Sequence, residues 1–138
     1  MKPIATALFA ALFLITIAPP VGAQESSKDA TWYRVFLIKF EPGRAPEGIA
    51  FIKGHFNPVD EQIGRKTLPF EFITGDWDHI VFFPATLSEA GLDTIPPEHE
   101  WMAMFEEREG GKAEAQAAFA EFNGLVAELK VQIARTMR

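Results

Sequence analysis

Histidine is the residue type in this sequence best suited to proton transfer, because its side chain titrates near neutral pH. His79 lies in the segment "TGDWDHIVFFP", where its neighbours are Trp, Ile, Val and Phe. Burial among such residues is expected to lower the pKa of His79 and keep the imidazole neutral. We therefore predict that His79 lines a pocket and acts as an acid or base, or as a ligand contact. The alternative is a hydrogen-bonded histidine of the core.

His55 is the second candidate for acid–base chemistry. On a helical wheel it falls between Phe51 and Ile52, within the apolar arc, so its side chain is predicted to point inward. His55 and His79 would then either share one pocket or pack separately. His99 falls in the first turn of a later helix and is predicted to face solvent. No close spacing of ligands supports a metal site or haem, and we predict neither a metal nor a cofactor.

A hairpin is predicted to surround His79 with aromatic residues. Gly75-Asp76 suits a two-residue turn, which would place Phe72 opposite His79. The predicted ligand-binding residues are Phe72, Trp77, Val81 and Phe51. Both faces of this hairpin carry apolar residues, so one layer of helices would leave an apolar sheet face uncovered.

The remaining segments predict an α+β order of elements. "TWYRVFLIKFEPG" reads as a strand, and "APEGIAFIKGHF" as a helix that Pro58 should break. A helix is predicted from near Pro97 to Gly110, where glycine suits a left-handed cap. From Lys112 onward apolar residues recur every three or four positions as far as Met137, which favours a long helix. The segment "LKVQIAR" also alternates, so a closing strand remains the alternative there.

Strand, helix, strand, strand, helix is the order of a ferredoxin-like split βαβ unit. With that order and the segments "HFNPVDEQIG" and "GDWDHIVFFP", the chain resembles the dimeric α/β-barrel superfamily. The resemblance implies an antiparallel sheet that packs against the sheet of a second copy. Cyclases of the superfamily use a histidine at the position of His79 together with a tyrosine as acid and base. Tyr33, the only tyrosine here, is predicted on the first strand.

The amino terminus predicts export. An apolar run follows Lys2, and the small residues Val21 and Ala23 precede Gln24 in the pattern of a signal-peptidase site. The run is shorter than the roughly 20 residues of a transmembrane helix, so no stable membrane insertion is expected after cleavage. The expected organisation is a signal peptide over 1–23, a polar lead-in over 24–30, and one domain over 31–138. The location would be periplasmic or extracellular.

Composition excludes several function classes. The net charge of −6 argues against nucleic acid and anionic membranes as partners. Cysteine is absent, which excludes thiolate catalysis and Cys-ligated zinc. We predict an exported homodimer of the cell envelope that binds a small apolar or aromatic molecule or is purely structural. The alternative is a cofactor-independent enzyme, a cyclase, isomerase or monooxygenase, with His79 as acid and base.

Overall fold

The computed structural model describes residues 30–88 and 91–137. The predicted signal peptide and all of the lead-in except Ala30 lie outside these residues. The strands are β1 (Trp32–Phe40), β2 (Leu68–Glu71), β3 (His79–Ser88), β4 (Gly91–Thr94) and β5 (Val126–Arg135). The helices are α1 (Ala45–Phe51), α2 (Asn57–Gln62), α3 (Glu98–Glu109) and α4 (Lys112–Leu125). A π-helical turn, Ile52–Phe56, joins α1 to α2.

The strands form one antiparallel sheet in the order β2-β3-β1-β5, and β4 pairs with the far end of β3. β1 and β3 are central neighbours although a helical segment and β2 separate them along the chain. This arrangement is ferredoxin-like, so the predicted α+β fold class is confirmed. β4 is a further strand that was not predicted from the sequence.

The carboxyl-terminal segment is a strand. α4 ends at Leu125, and β5 then runs antiparallel along β1, so the prediction of a continuous helix to Met137 is wrong beyond this point. The alternative prediction from the alternating pattern, a closing strand, is correct. The free edge of β1 explains this outcome, since β5 satisfies backbone groups there that a helix would leave unpaired. A bulge at Ala127 lets Phe40 pair with Val126.

The hairpin between β2 and β3 has a different register from the predicted one. Glu71, and not Phe72, lies opposite His79, because the connecting loop is longer than two residues. A one-residue slip moves every side chain of β2 to the other face of the sheet. The two-residue turn predicted that Phe70 and Phe72 share a face with His79. The observed pairing does not place them on that face.

The helical path continues through Pro58, contrary to the predicted break. The backbone N–H of Asn57 donates to the carbonyl of Ile52, five residues earlier, which widens the turn directly before Pro58. Proline has no N–H to continue regular α-helical bonding, and its ring clashes with a carbonyl four residues back. A wider turn at this point allows α2 to begin with Pro58 in its first turn, where proline is tolerated.

The two faces of the sheet have different surroundings. Even-numbered residues of β1, such as Ile38 and Phe40, pack into a core with the helices; we call this side the inner face. On β3 the inner face carries His79, Val81 and Phe83, which lie opposite Ile38, Phe36 and Arg34. The outer face carries Val35, Leu37, Ile80, Phe82 and Phe70. Among the described residues, none of these five belongs to the helix-packed core.

The helix predicted from Pro97 to Gly110 is confirmed. α3 begins after Pro97, and Gly110 follows it with φ of 98°, in the left-handed region that glycine tolerates. Trp101 and Phe105 of α3 are buried and stack with their ring centroids 5.0 Å apart. These two rings form the centre of the core beneath the inner face.

Candidate functional site

A cavity of about 220 Å³ lies between the inner face and the helices. Its wall is mainly apolar, with Phe36, Ile38, Val81 and Phe83 from the sheet and Ile52, Phe56 and Trp101 from the helical side. Exposed residues also contribute to the wall, among them Pro69, Asn123 and Leu129, so the cavity opens to solvent on that side. The π-helical turn borders the cavity with Ile52 and Phe56. π-helical turns occur frequently at functional sites because they displace side chains from the regular helical positions.

His79 lies on the wall of this cavity at the first position of β3. Asp78 holds the start of the strand in place. Its carboxylate accepts a hydrogen bond of 2.8 Å from the Phe40 N–H, and its own N–H donates to the Ile38 carbonyl at 3.1 Å. The Phe72 N–H donates to the Asp78 carbonyl at 2.9 Å. The backbone at His79 is therefore fixed from both neighbouring strands.

The imidazole of His79 is buried, with 6% of the residue exposed. Its Nδ1 atom has no hydrogen-bond partner among the described residues. Burial lowers the pKa of His79, an effect that the nearby carboxylate of Glu71 opposes and Lys53 reinforces. A neutral imidazole on a cavity wall, with one ring nitrogen free of protein partners, can contact a bound molecule or accept a proton from it.

A buried ion pair, Asp60 and Arg65, forms the polar end of the cavity wall. The turn after α2 brings the two residues together. Gly64 adopts φ of 71°, and the Arg65 N–H donates to the Asp60 carbonyl at 2.8 Å while the Gly64 N–H donates to the Glu61 carbonyl at 3.2 Å. This pair of bonds is a Schellman motif, which reverses the chain at a helix end. It returns Arg65 to the helix turn that carries Asp60.

The guanidinium of Arg65 has both charged and aromatic neighbours. Nη1 lies 3.6 Å from Asp60 Oδ1, and Nη2 lies 3.7 Å from Glu98 Oε2. Nη2 also donates to the Pro96 carbonyl at 3.4 Å. The guanidinium carbon lies 5.3 Å from the ring centroid of Phe83 and 5.7 Å from that of Trp101.

The remaining donor of this guanidinium, Nε, is buried and has no hydrogen-bond partner among the described residues. Its side chain is only 3% exposed. Burial lowers the pKa of Arg65, while Asp60 and Glu98 raise it. Arginine remains charged in proteins at all ordinary pH values, so Nε–H is a permanent donor of a side chain that lines the cavity.

Asp60 receives its closest contact from α3. The Trp101 indole N–H donates to Asp60 Oδ1 at 2.7 Å, a shorter distance than that to Arg65. Burial raises the pKa of Asp60 to about 6, although Arg65 and the Trp101 bond favour the ionised form. Asp60 therefore titrates close to neutral pH and changes the net charge of the cavity wall when it does.

The structure separates the two candidate histidines. His55 lies away from the cavity wall, with 38% of its side chain exposed, and its Nδ1 is 2.8 Å from Glu109 Oε1. Its ring stacks on Phe51 with 4.2 Å between centroids. His55 was predicted to point inward, and this is correct only in part: its ring packs on the buried Phe51, but its Nδ1 contacts Glu109 of α3 at the rim of the helical layer. His99 is exposed, as predicted.

Of the predicted ligand-binding residues, Val81 lines the cavity and the other three do not. Phe72 is 39% exposed beyond the end of β2, a consequence of the changed register. Trp77 lies in the connecting loop, where the Lys130 ammonium is 5.4 Å from its ring centroid. Phe51 is buried in the helix-packed core beside Phe122.

Asp60, Arg65 and Trp101 were not among the candidates drawn from the sequence. One local signal could have identified the first two. In "DEQIGR" a glycine follows the end of a helix and is itself followed by arginine, the pattern of a Schellman motif that brings residues five positions apart into contact. The bond from Trp101 joins two separate helices, and no local pattern predicts it.

Two further properties of the described residues bear on function. Within 30–88 and 91–137, no group of three or more His, Cys, Asp or Glu side chains is arranged to hold a metal ion. Over the same residues, no helix combines the length and the hydropathy needed to cross a bilayer.

Comparison with known proteins gives a likeness of fold. No protein-family model and no curated protein matches the sequence. A NIPSNAP family protein with unknown function from Agrobacterium tumefaciens is 14% identical, with a TM-score of 0.53 over 78% of this chain and 89% of that protein. A second crystal structure of that protein gives 13% identity and a TM-score of 0.54 over 78% and 94%.

An uncharacterized NIPSNAP domain protein from Burkholderia xenovorans is 12% identical, with a TM-score of 0.48 over 75% of this chain and 91% of that one. Identities this low carry information about the fold and none about the activity. The chain therefore has the ferredoxin-like α+β fold of the NIPSNAP protein from A. tumefaciens.

Proposed function

We propose that this protein binds a small, largely apolar molecule in the cavity between the inner face and the helices. One observation carries the proposal: two side chains that line a single cavity, His79 and Arg65, each have a buried polar atom, Nδ1 and Nε, with no protein partner among the described residues. Buried polar groups are hydrogen-bonded in nearly all native structures, so two exceptions on one wall call for a bound partner.

The shape of the cavity supports the same proposal. An engineered cavity of about 150 Å³ lined by apolar side chains binds benzene. The present cavity, at about 220 Å³, is larger and has the combination of apolar walls and a few polar atoms that typifies ligand sites. A molecule of one aromatic ring with a short substituent fits this volume.

Filling the cavity tests the proposal directly. Val81→Phe adds a ring to the cavity wall, whereas Ile80→Phe adds a similar group one residue earlier on the outer face. Titration calorimetry with ethylbenzene and acetophenone should detect binding to the wild-type protein and to Ile80→Phe, and none to Val81→Phe. Native mass spectrometry of the purified protein should show a retained small molecule. Failure of both probes to bind wild-type protein would contradict the proposal.

A second candidate function is proton transfer on the bound molecule. The observation that favours it is a neutral His79 on the same wall as the cationic Arg65, which provides a base and a group that polarises a carbonyl oxygen. Incubation of acetophenone with the protein in D₂O would then exchange the methyl protons faster than incubation with His79→Phe. Equal exchange rates would leave binding as the function.

We also propose that two copies associate through the outer face. Phe70 and Leu68 of β2 are 57% and 47% exposed there, next to Phe82 and Ile80 of β3. An apolar sheet face of this kind is an association surface, and a twofold pairing of identical faces is the commonest form of closure. Sedimentation of the purified protein should give twice the mass of one chain.

Export from the cytoplasm stays a prediction, since the residues that motivate it lie outside the described part of the chain. Cleavage between Ala23 and Gln24 would be seen in the intact mass of protein recovered from the periplasm or the medium. Recovery of a chain that retains Met1 in the membrane fraction would contradict it.

A further inference from the structure

We propose that the molecule bound in the cavity carries an uncharged oxygen acceptor, a carbonyl or phenolic oxygen, that accepts a hydrogen bond from Arg65 Nε–H. This inference rests on the proposed function and specifies the class of ligand. It separates neutral ketones and phenols from the carboxylic acids and amines of similar size.

The type of atom at Arg65 determines what the ligand must present. A guanidinium has only donors and no acceptor. Its Nε–H is buried and has no partner among the described residues, in a side chain that lines the cavity, so a ligand atom that meets it must be an acceptor. An ammonium group has no lone pair to offer, so a protonated amine leaves this buried donor without an acceptor.

The charges around Arg65 exclude a carboxylate in the same way. Asp60 and Glu98 both lie within 3.7 Å of the guanidinium, so one positive charge already faces two carboxylates. The carboxylate of a ligand would be the third in this place. It would lose its hydration on entering a site whose net charge is negative when both acids are ionised. Attraction to Arg65 does not compensate that loss of hydration, because its charge is already shared. A neutral oxygen accepts the hydrogen bond without this cost.

The hydrogen-bonding capacity of His79 is compatible with the same class of ligand. Its unpartnered Nδ1 belongs to a ring held neutral by burial, so it can donate or accept according to its tautomer. The charged groups near this ring are Glu71, on the neighbouring strand, and Lys53, on the π-helical turn. A hydroxyl or carbonyl substituent satisfies either tautomer, whereas a purely hydrocarbon ligand satisfies neither buried atom.

Four probes with the same ring test the inference: ethylbenzene, acetophenone, benzoate and benzylamine. Binding of each to the full protein at pH 7.5 is measured by titration calorimetry. Acetophenone is expected to bind about tenfold more tightly than ethylbenzene, because a hydrogen bond from a charged donor strengthens binding by at least that factor. Benzoate and benzylamine are expected to bind more weakly than ethylbenzene.

Asp60→Asn provides the matched variant. Asparagine keeps an oxygen to accept the Trp101 N–H bond but removes one of the two negative charges beside Arg65. The affinity for benzoate should rise about tenfold or more in this variant, while that for acetophenone changes less than threefold. Arg65→Met combined with Asp60→Asn removes the donor and its counter-charge together, and should abolish the preference for acetophenone over ethylbenzene.

The possible results distinguish this inference from the proposed function. If no probe binds, both are wrong. If ethylbenzene or benzoate binds as tightly as acetophenone, the cavity is a binding site but its polar end does not select a neutral oxygen. Should the double variant not fold, the four probes on the wild-type protein and the benzoate response of Asp60→Asn still decide the question.

Discussion

The two faces of the sheet are built from alternate residues of the same strands and differ in what covers them. On β1, Ile38 faces the helices, while its neighbour Leu37 faces the outer side. On β3 the same alternation places His79 on the cavity wall and Ile80 on the outer face. The inner face is packed by helices, apart from its exposed edge on β5, and retains a cavity lined by polar as well as apolar side chains. Among the described residues, the outer face has no cavity with polar atoms of this kind, and it presents mainly apolar side chains on β1, β2 and β3 and polar ones on β5.

The functions proposed above divide between the two faces of one sheet. If a sheet face contributed only to stability, the space between it and the helices would be filled completely, because protein interiors pack as densely as organic crystals. The inner face instead combines a tight core around Phe105 with a cavity beside Arg65 and His79. Val35, at the centre of the outer face, is buried, and Phe70 at its edge is 57% exposed. Stability, ligand binding and association should therefore respond to different substitutions.

The largest effect is expected in the core under the inner face. Phe105→Ala removes a ring that is 0% exposed and should lower the free energy of unfolding by about 3 to 5 kcal/mol. Phe70→Ala removes the same ring from the outer face, where it is 57% exposed, and should cost less than about 1 kcal/mol in a monomer. Urea denaturation at low protein concentration measures both. Similar losses in the free energy of unfolding in the two variants would contradict the expected difference between the two faces.

Association should show the opposite dependence. Phe70→Glu places a carboxylate on the edge of the outer face of each copy, and the dissociation constant of the dimer should rise at least about 100-fold, equivalent to about 3 kcal/mol. Ile133→Glu is the control, since Ile133 is similarly exposed but lies on the helix-bearing side of β5. Sedimentation equilibrium gives both constants. A dimer unaffected by Phe70→Glu, or a monomeric wild-type protein, would exclude the outer face as the interface.

The pH dependence of stability should separate Asp60 from His79. The pKa of Asp60 is raised by burial to about 6 from its ordinary value of 3.8, so the folded state holds this proton more tightly than the unfolded state. Its stabilising contribution is complete below pH 3.8 and is lost as the pH rises to about 6, with a total of about 3 kcal/mol. Burial lowers the pKa of His79, so the contribution of this residue to stability is complete above its ordinary pKa of 6.5 and falls as the pH falls.

Asp60→Asn isolates the first of these opposing effects. The stability of the variant minus that of the wild type should become more positive by up to about 3 kcal/mol between pH 4 and pH 7. Denaturant unfolding at unit steps of pH measures the difference. If the difference stays constant over this range, Asp60 does not titrate there and the buried pair is ionised throughout.

The two histidines give the smallest expected effects on stability and a clear contrast in binding. His79→Phe removes a ring nitrogen that has no protein partner among the described residues, so the free energy of unfolding should change by less than about 1 kcal/mol. The affinity for acetophenone should fall. His55→Ala breaks the contact with Glu109 outside the cavity and should leave the affinity unchanged. Calorimetry and thermal unfolding test both. A large loss of stability in His79→Phe with unchanged affinity would make this histidine architectural.

The sequence predicted the elements better than their contacts. Alternation and helical spacing identified β1, α3 and the two strands of the hairpin, because these patterns depend on neighbouring residues. The hairpin register depended on Asp78, whose bonds to Phe40 and Ile38 of β1 override the local preference of Gly75-Asp76 for a two-residue turn. For the carboxyl-terminal segment both periodicities were present, and pairing with the free edge of β1 decided in favour of a strand.

The site was predicted only in part for the same reason. His79 and Val81 alternate on one strand, so a correct strand places both on the cavity wall. Asp60 and Arg65 look like surface residues in sequence, where charged side chains are mostly exposed. Their burial depends on α3, since Trp101 supplies both a hydrogen bond and a ring surface. A contact between separate helices leaves no periodic trace in the sequence.

The π-helical turn Ile52–Phe56 has a consequence for the lengths that related chains can adopt here. Such a turn holds one residue more than a regular α-helical turn, so it corresponds to the insertion of a single residue. The helical residues before and after the turn keep the directions that they would have in a regular helix without the insertion. Deletion of Gly54, which is exposed and has open space around it, would restore a regular helix and keep Asp60 oriented toward the cavity. Pro58 would then lie in a helix interior, at a cost of about 3 kcal/mol. A chain one residue shorter at this turn is therefore expected to have replaced that proline as well.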